Sequence, residues 1–511
     1  MPRPDINASD PVFEWAERTP WAVAIIEDGQ VVHYRTLRLA ILRAMAAFSD
    51  AGCTPGHVVG ISMEGNVALQ LVVSLALART GIAQVWLPLS DPREYRERRA
   101  HRLRVVSIVA DCTEGSLASV TRLTPEVRWL SDASTSESLL DLRINGTDRA
   151  LILTQSSGTT GVAKDTVETH EEEMIFARRA NAVCGCRPGE RYMTLTDIRF
   201  WAGLTRAWRC LSNGGAFVVP PPEWTVTTLL QFIDRTHVTH LACTPMHIQL
   251  LLAGIDGDNA RLPGLRQLRS GTAALPLSVL LEVRKRISPN LYMYYGTNEA
   301  GTITAAPPEL LDRYPECAGL PLDGIELEVV DQNDQTVPLG SLGKIRVRGE
   351  GIDPRRILAS EDAGVHSYKN GWNYTGDIGY VNAGGVLFLK GRSDDVMNFD
   401  GIMVGPSEIE SVLSRHPAIA DSAAFPLPSA IHQEVPAAAI VLRHPVPMEE
   451  LEVYCRQHLA IRTPRMFFVM DVIPRNPMGK ILRRRLTELA VEHVSKESAT
   501  NSDVRPAHQK T

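Results

Sequence analysis

The chain has 511 residues, of which 44% are hydrophobic and 22% are charged, and its formal net charge is -6. This composition is typical of a globular protein of two or three domains, and the negative balance gives no electrostatic support for binding nucleic acid. The first residues, MPRPDINASDPVFEW, carry charges and prolines where a secretory signal needs an apolar run. The longest apolar run, residues 68–78, is too short to cross a bilayer, so we expect a cytoplasmic protein with no membrane partner.

The first 390 or so residues alternate strand-like apolar runs with amphipathic helical stretches. Residues 58–63 are predicted to form a buried strand, residues 66–79 a helix that Gly81 ends, and residues 83–87 the next strand. Alternation of this kind is typical of parallel, doubly wound sheets. We therefore predict an α/β fold whose large N-terminal domain contains doubly wound sheets.

Near residue 390 the predicted strands and helices become shorter, and the residues typical of turns become more frequent. A helix at 407–416, a strand at 437–442, a helix at 448–459 and a strand at 467–473 predict a small α+β domain of about one hundred residues. We place the N-terminal domain at 1–393 and a mobile C-terminal domain at 394–494. The polar segment 495–511 is predicted to be a disordered tail.

The 8 cysteines are scattered, and Cys184 and Cys186 form the only close pair in the sequence. No second pair at zinc-binding spacing accompanies them, so a metal site is not predicted. Reduced, buried cysteines of a cytosolic protein are the favoured interpretation.

The stretch LTQSSGTTGVAKD, residues 153–165, has the small and hydroxyl residues of an anion-binding loop. Gly158, Gly161 and Lys164 do not have the spacing of a Walker loop, and a simple Ser/Thr/Gly turn is the alternative. In YYGTNEAG, residues 294–301, a glycine turn presents the carboxylate of Glu299, which suits a hard cation such as Mg²⁺.

Two further stretches carry charged residues near predicted turns. In NYTGDIGY and the GRSDD that follows it, Asp377 and Arg392 either bind the hydroxyls of a ribose or form an ordinary surface ion pair. In IPRNPMGK, Lys480 follows Gly479 just before a basic helix, whose arginines at 483–485 favour a solvated face.

Taken together and in this order, these stretches resemble the motifs of the adenylate-forming enzymes. That family includes acyl- and aryl-CoA ligases, luciferases, peptide-synthetase adenylation domains and standalone amide bond synthetases. SSGTTGVAK resembles its phosphate loop, YGTNE its Tyr-Gly-x-Thr-Glu motif, YTGD its ribose motif, GRSDDVMNFDGIMVGPSEIE its hinge motif and NPMGK its lysine loop. WLPLSDP, from Trp86, fits an early core motif, and the resemblance spans roughly residues 10 to 490.

The resemblance implies that ATP and Mg²⁺ are used to convert a carboxylic acid into an acyl-adenylate with release of pyrophosphate. It assigns Glu299 to Mg²⁺, Asn298 to phosphate, Tyr295 to the adenine, Asp377 and Arg392 to the ribose, and Lys480 to the reacting carboxylate and α-phosphate. It implies that Asp394 is the hinge about which the small domain turns between two half-reactions. The residues that it assigns to the phosphates are Ser156, Ser157, Gly158, Thr159, Thr160, Gly161 and Lys164.

Several positions depart from the family. Ala163 and Asp165 stand where proline and glycine are usual, which predicts a less rigid phosphate loop with an extra charge. Asn298 replaces threonine. Met403 occupies a position that is often basic in CoA-using members, which weakens the case for CoA. A non-catalytic adenylate sensor is the alternative that these departures leave open.

The acceptor of the acyl group is predicted from the stretch YMTLTDIRFWAGL. An amine is mostly protonated at neutral pH, so an amide-forming enzyme needs an anchor or base, and Asp197 could serve. A helix cap is the alternative role for Asp197. Asp197 in its catalytic role, together with Met403, favours an amide bond synthetase of natural-product biosynthesis. CoA or a carrier-protein thiol is the alternative acceptor. The predicted acid pocket is apolar and flat, and consists of Phe200, Trp201, Met246, Gly271, Thr272 and Tyr294.

Overall fold

In the computed structural model of the protein, the described residues are 5–118, 120–131, 140–156, 164–255, 257, 261–271, 275–354, 368–393, 395–399, 402–429, 433–476 and 479–502.

The described helices are distributed over the whole chain. They are α1 (Asp10–Arg18), α2 (Tyr34–Asp50), α3 (Val67–Arg79), α4 (Arg93–Arg102), α5 (His170–Cys184), α6 (Trp201–Ser212), α7 (Val226–Thr236), α8 (Pro245–Gly254), α9 (Leu277–Arg286), α10 (Pro308–Arg313), α11 (Pro406–Leu413), α12 (Met448–Leu459) and α13 (Arg483–Ser502).

The strands of the first half lie mainly between these helices. They are β1 (Val23–Glu27), β2 (Gln30–His33), β3 (Val58–Ser62), β4 (Ala83–Trp86), β5 (Val105–Ala110), β6 (Thr121–Leu123), β7 (Ala150–Ser156), β8 (Lys164–Thr169), β9 (Arg191–Thr194), β10 (Ala216–Val218), β11 (His240–Cys243), β12 (Gln267–Ser270), β13 (Leu291–Thr297) and β14 (Gly301–Ala306). The later strands are β15 (Leu320–Pro321), β16 (Ile325–Val330), β17 (Gly343–Gly349), β18 (Tyr368–Lys369), β19 (Trp372–Val381), β20 (Leu387–Arg392), β21 (Met397–Phe399), β22 (Ile402–Val404), β23 (Ile419–Ser429), β24 (Gln433–Leu442) and β25 (Met466–Val469).

The large domain is built on two mainly parallel sheets. One has nine strands in the order β15-β14-β13-β12-β11-β9-β10-β1-β2, and the other has six in the order β6-β5-β3-β4-β7-β8. The neighbours β13-β12-β11-β9-β10-β1 are parallel, as are β6-β5-β3-β4-β7. A five-stranded antiparallel sheet of β16, β17, β19, β18 and β20 completes the domain. The predicted α/β fold is confirmed.

Helix α3 shows how the core of this domain forms. Residues from Ala68 to Arg79 are all buried, as expected for a helix that is apolar all round. Its start is fixed by Asn66, whose Oδ1 accepts a hydrogen bond from Leu69 N at 2.7 Å. The positive charge of Arg79 inside this core is matched by Asp10 at 3.1 Å and by Asp141.

The small domain has its own sheet and its own core. Its sheet has the order β22-β21-β24-β23 with β25 on β24, and α11 and α12 pack beside it. The predicted helix at 448–459 has the observed bounds of α12. Helix α13 continues to Ser502, into the segment predicted to be disordered, and Lys, Glu and Ala in SKESA have high helix propensity. Residues 503–511 lie outside the described residues, and the domain boundaries stay a prediction.

Among the described residues, no helix combines the length and the apolar composition that a membrane span needs. The described cysteines are all free thiols, and most of them are buried.

Candidate active site

A cleft of about 1940 Å³ lies between the large domain and the small domain. Predicted site residues from separate parts of the sequence line this one cleft. They are Phe200, Trp201, Gly271, Tyr294, Tyr295, Asn298, Glu299, Asp377, Arg392 and Lys480. Phe200, Gly271 and Glu299 follow the carboxyl ends of the parallel strands β9, β12 and β13, which is where open α/β sheets place their ligand sites.

Asp377 and Arg392 face each other on neighbouring antiparallel strands, β19 and β20, in direct register. Arg392 Nη1 lies 3.3 Å from Asp377 Oδ1, and the two side chains are only 26% and 13% exposed. They therefore do not form the ordinary surface pair that was the alternative. Burial raises the pKa of Asp377, and the Arg392 guanidinium opposes that rise.

Gly376 and Tyr295 hold this pair in place. Gly376 has φ 76°, and a Cβ at this position would lie 2.7 Å from Arg392 Nη2, so glycine makes room for the guanidinium. Tyr295 donates its hydroxyl hydrogen to Asp377 Oδ2 at 2.6 Å. Tyr295 therefore belongs to the same hydrogen-bonded group as the predicted ribose residues, and its role beside adenine stays a prediction.

Glu299 and Asn298 lie at the turn of the β13–β14 hairpin. Thr297 pairs with Gly301 across the hairpin, and Ala300 N donates to Thr297 Oγ1 at 3.1 Å. Asn298 Nδ2 donates to the carbonyl oxygen of Gln155 at 3.3 Å, which ties this turn to the end of β7. The turn that carries the carboxylate predicted to bind Mg²⁺ is thereby tied to the end of the strand that precedes the predicted phosphate loop.

Strands β7 and β8 form an antiparallel hairpin that brackets the predicted phosphate loop. Ser156 pairs with Lys164, so the backbone of both residues is part of the hairpin. The loop residues Ser157, Gly158, Thr159, Thr160, Gly161 and Ala163 lie outside the described residues. A hairpin closed immediately before and after the loop supports the predicted cradle, which stays a prediction.

Asp165 follows the loop, is buried, and pairs with two arginines of α4, of which Arg99 is buried and Arg102 is exposed. Arg99 Nε lies 3.4 Å from Asp165 Oδ1, and Arg102 pairs with Asp165 Oδ2. The side chains of Arg99 and Asp165 are 8% and 6% exposed. The extra charge expected from Asp165 is therefore neutralised locally, and it anchors β8 to α4.

Lys480 reaches the cleft from the loop that precedes α13. Asn476 and Lys480 close this loop through two hydrogen bonds of 2.9 Å, one of them between their backbones. Burial lowers the pKa of Lys480, the Arg392 guanidinium lowers it further, and the carboxylates of Asp395 and Asp377 oppose this. The lysine therefore lies in the electrostatic field of the predicted ribose residues.

The predicted acid pocket is lined by aromatic side chains and by buried arginines that the sequence did not reveal. Phe200 and Trp201 begin α6, and Tyr294 lies on β13 with the Arg269 guanidinium 3.9 Å from its ring centre. Arg206, one turn further along α6, donates to Thr196 Oγ1 at 3.0 Å and also lines the cleft.

A buried carboxylate holds the indole of Trp201. Trp201 Nε1 donates to Glu168 Oε2 at 2.8 Å, and Glu168 is 1% exposed. Glu173 lies beside Glu168 and is paired with Arg209 at 2.7 Å. Burial raises the pKa of Glu173 to about 8, although Arg209 opposes the rise. The sequence signal for this network was weak, because charged residues on β8 and α5 normally face solvent.

Asp197 does not line the cleft, whereas its neighbour Arg199 does. Asp197 Oδ1 accepts from Arg199 N at 2.8 Å, and Oδ2 accepts from the Arg199 guanidinium at 2.9 and 2.5 Å. Arg199 also pairs with Glu64. The carboxylate thus closes the turn before α6 and presents a guanidinium toward the cleft. It does not cap the helix, since the N-cap residue of α6 is Phe200 and no side chain makes a capping hydrogen bond there.

Four predicted positions lie elsewhere or outside the described residues. Met246, in the first turn of α8, contacts the lysine loop, since a Cβ on Gly479 would lie 3.1 Å from Met246 Cβ. It is not among the residues that line the cleft. Thr272 and the predicted hinge Asp394 lie outside the described residues, as does the side chain of Met403.

The donor and acceptor groups of the cleft fit a nucleotide with a divalent cation. Arg392 Nε is buried and has no hydrogen-bond partner among the described residues, so the ribose site retains an unused donor. Asp377 offers acceptors to hydroxyls, Lys480 offers positive charge to a phosphate, and Glu299 offers oxygen ligands to Mg²⁺.

The chain matches the family model "AMP-binding enzyme" over residues 12–353 and the model "AMP-binding enzyme C-terminal domain" over residues 408–480. The protein therefore belongs to the AMP-binding enzyme family, which defines it as an adenylate-forming acid ligase. This confirms the family resemblance found in the sequence.

Curated relatives include 2-succinylbenzoate–CoA ligases. The protein from Bacillus subtilis (strain 168) is 30% identical over 343 residues, which are 67% of this chain and 69% of the relative. The protein from Bacillus pumilus (strain SAFR-032) is 26% identical over 473 residues, which are 92% of this chain and 95% of the relative.

Solved structures of similar fold include two kinds of ligase. O-succinylbenzoate coenzyme A synthetase (MenE) from Bacillus subtilis, in complex with ATP and a magnesium ion, has a TM-score of 0.83 at 25% identity, covering 93% of this chain and 98% of that one. The amide bond synthetase McbA from Marinactinospora thermotolerans has a TM-score of 0.83 at 23% identity, covering 94% and 99%. At this identity, the similarity to McbA shows a shared fold and nothing more.

Proposed function

We propose that this ligase activates a flat, apolar carboxylic acid as its acyl-adenylate and transfers the acyl group to the thiol of CoA. The observation that carries the choice of acceptor is the pairing of Asp197 with Arg199. A carboxylate committed to a guanidinium and a backbone N–H is a poor base for an amine. Of this charged group only the Arg199 guanidinium lines the cleft, so an acceptor that carries phosphates meets a hydrogen-bond donor there, although Asp197 and Glu64 offset its charge.

The reaction joins two anions, so its barrier is largely electrostatic. A substrate carboxylate oxygen bonds to the α-phosphorus of ATP, and the bond to the β-phosphate breaks with release of pyrophosphate. Lys480 neutralises the approaching groups, while Asp377 and Arg392 bind the ribose and fix the α-phosphate relative to the acid. Glu299 would hold Mg²⁺, which would supply charge compensation at the phosphates.

In the second half-reaction the thiol sulfur attacks the acyl carbon, and AMP leaves. A thiol with a pKa near 8.5 needs little help to ionise, whereas an amine with a pKa near 10 needs a base. Since the carboxylate of Asp197 is already engaged, the thiol reaction makes the smaller demand on the residues present. The curated CoA ligase relatives add independent support.

The form of the pocket supports an aromatic acid. Phe200, Trp201 and Tyr294 give planar apolar surfaces, and the hydrogen bond from Trp201 to Glu168 fixes the indole. Arg206 and Arg269 add positive charge, which favours an acid with a further electron-rich substituent.

An amine acceptor is the second candidate, and one observation favours it. Asp197 and Glu64 both pair with Arg199, so this group of three charges has a net charge of about -1 and attracts an ammonium ion. Transfer to an amine would require the amine to lose a proton to a group other than the paired Asp197.

The deciding experiment is mass spectrometry of reactions that contain ATP, Mg²⁺ and a panel of aryl acids, each divided between CoA and simple amines. Thioester formed in preference to amide supports the proposal. Amide without thioester contradicts it and makes Asp197→Asn and Arg199→Ala the next variants. Absence of pyrophosphate release with every acid would favour a non-catalytic adenylate sensor.

A further inference from the structure

A second group of reactive side chains lies away from the cleft, in the core of the large domain. The thiol of Cys186, the carboxylate of Glu190 and the imidazole of His240 place their possible ligand atoms within 4.8 Å of one another, and all three residues are buried. The sequence did not predict this group, because the residues are separated by up to about fifty positions and do not have the spacing of a known zinc motif.

The topology places the group at the opposite ends of the strands from the cleft. Glu190 immediately precedes β9, His240 is the first residue of β11, and Gly215 immediately precedes β10. Strands β10, β9 and β11 are parallel neighbours, so all three positions lie at the amino ends of the strands. The cleft lies at the carboxyl ends, and the group is therefore a separate site.

A second thiol lies at metal-ligand spacing. Cys210, on α6, is 2% exposed, and its Sγ lies 3.8 Å from the Sγ of Cys186. Two thiolates bound at about 2.3 Å to one tetrahedral zinc ion are about 3.8 Å apart, whereas the sulfurs of a disulfide are about 2.05 Å apart. The spacing fits a thiol–thiol hydrogen bond in the metal-free protein and is also compatible with a shared cation, whereas it excludes a covalent bond.

The backbone leaves room for the two sulfurs. A Cβ on Gly215 would lie 2.6 Å from Cys186 Sγ and 3.0 Å from Cys210 Sγ. Any other residue at position 215 would push the thiols away, so this glycine preserves the space beside both sulfurs.

Surrounding contacts orient the remaining ligands. His240 Nδ1 lies 2.9 Å from Thr239 Oγ1, which leaves Nε2 facing Glu190 Oε2 at 3.8 Å. Glu190 accepts from Arg187 N at 2.8 Å and pairs with the Arg266 guanidinium. Such outer contacts fix the ring and carboxylate orientations of metal ligands.

We propose that Cys186, Glu190 and His240 form a structural site for Zn²⁺, and that Cys210, whose Sγ lies 3.8 Å from Cys186 Sγ, turns toward the ion as the fourth ligand. Thiolate, imidazole and carboxylate are the ligands of this borderline-soft cation, which prefers a tetrahedral set of four. On binding, each thiol releases its proton to solvent, and the thiolate sulfur coordinates the ion. The adjacent guanidinium of Arg266 offsets the remaining negative charge. The ion links α6 to the amino ends of β9 and β11.

The test uses the purified full-length protein, reduced and stripped with a chelator. Zn²⁺ is titrated in competition with a chromophoric chelator, and Co²⁺ is used as a spectroscopic substitute. We expect one equivalent of Zn²⁺, and a sulfur-to-cobalt charge-transfer band that is lost in Cys186→Ser. His240→Gln is expected to lower the Zn²⁺ affinity by about 100-fold or more. Cys53→Ser, which changes a buried thiol outside the group, is the matched control.

A protection measurement on the unaltered protein covers the case in which a variant fails to fold. Zn²⁺ is expected to slow alkylation of Cys186 and Cys210 but not of Cys53, as measured by peptide mass spectrometry, and to raise the Tm. Less than one equivalent of bound Zn²⁺, or equal affinity in Cys186→Ser, overturns the proposal. Formation of a Cys186–Cys210 disulfide at the same rate with and without Zn²⁺ would also overturn it and indicate a redox-active pair.

Discussion

Lys480 combines a required positive charge with an environment that makes this charge costly to keep. Burial and Arg392 lower its pKa, so its proton is lost at lower pH than that of an exposed lysine. At the scale of single residues, this makes the first half-reaction sensitive to alkaline pH, because a neutral amine no longer compensates the two anions.

We therefore predict that the rate of pyrophosphate release falls, as pH rises, with a midpoint below the ordinary lysine value of about 10.4. Lys480→Arg should move this midpoint upward, because arginine stays protonated, while lowering the maximal rate. Lys480→Ala should lower the rate by about 100-fold or more. Lys285→Arg, an exposed change on α9, is the control, and an unchanged alkaline midpoint in Lys480→Arg would contradict the assignment.

Gly376 permits a second residue-scale prediction about the ribose site. A methyl group here would lie 2.7 Å from Arg392 Nη2, so Gly376→Ala should displace the guanidinium and raise the KM for ATP by about tenfold. Gly371→Ala is a matched control, because Gly371 has a similar φ of 78° with nothing within 4 Å of the added Cβ. Equal KM values in the two variants would show that backbone strain, and not Arg392, is responsible.

At the scale of elements, the β7–β8 hairpin is fastened to α4 through a buried charge. Asp165→Ala leaves Arg99 buried without its partner, and we expect a loss of about 3 kcal/mol in the free energy of unfolding. Urea denaturation measures this loss, and the KM for ATP should rise because β8 carries Lys164. Arg102→Ala removes a partner that is 54% exposed and should cost less than about 1 kcal/mol. Equal losses in both variants would contradict the anchoring role.

Helix α5 begins with a histidine that is buried as a neutral acceptor. His170 Nδ1 accepts from Ala8 N at 3.0 Å, and burial lowers the pKa of His170 to about 4. The unfolded chain binds a proton near pH 6.5 that the folded chain excludes until about pH 4, so stability falls as pH decreases through this window.

The expected acid-induced loss from this one group is about 3 kcal/mol. His170→Gln cannot titrate, so the difference in Tm between the unaltered protein and the variant should narrow steadily from pH 6.5 to pH 4. His237→Gln, in an exposed cap of α7, is the control. A difference in Tm that does not vary with pH would show that His170 is not buried as a neutral base.

At the scale of the whole molecule, the two domains meet in an arrangement suited to the first half-reaction. Ser411 Oγ donates to Glu316 at 2.9 Å, and the lysine loop packs on Met246. The family resemblance leads us to expect that transfer to an acceptor brings a different face of the small domain over the cleft, with the hinge predicted at Asp394.

We predict that Asp394→Pro, which restricts the backbone at the hinge, keeps pyrophosphate release within about tenfold and lowers acyl transfer more strongly. Single-turnover assays, with transfer started from preformed acyl-adenylate, separate the two steps. Asp394→Ala, which removes the same side chain but leaves the backbone unrestricted, is the control. An equal fall in both steps would place the pivot elsewhere.

Structure could be predicted from the sequence wherever a pattern of neighbouring residues determines it. Helix α12 was predicted with its observed bounds, and the motifs around Asp377, Glu299 and Lys480 converge on one cleft. Pairings between distant positions could not be predicted, because no local pattern encodes them. Glu168 beneath Trp201, Asp165 between two arginines, and Cys186 beside Cys210 all depend on how the sheets stack. Asp197 was recognised as a charge near the pocket, but its partner Arg199 could be identified only from coordinates.

The order in which the cleft residues are synthesised has a consequence for the nascent chain. Lys480 lies close to the end of the small domain, whereas the ribose pair and Glu299 belong to the large domain, which folds first as the chain leaves the ribosome. At about 5–20 residues per second, the interval between Arg392 and Lys480 is on the order of 5–20 s. During that time the emerging protein can bind a nucleotide but lacks the positive charge of Lys480, which the reaction needs. Unfinished molecules would therefore not consume ATP.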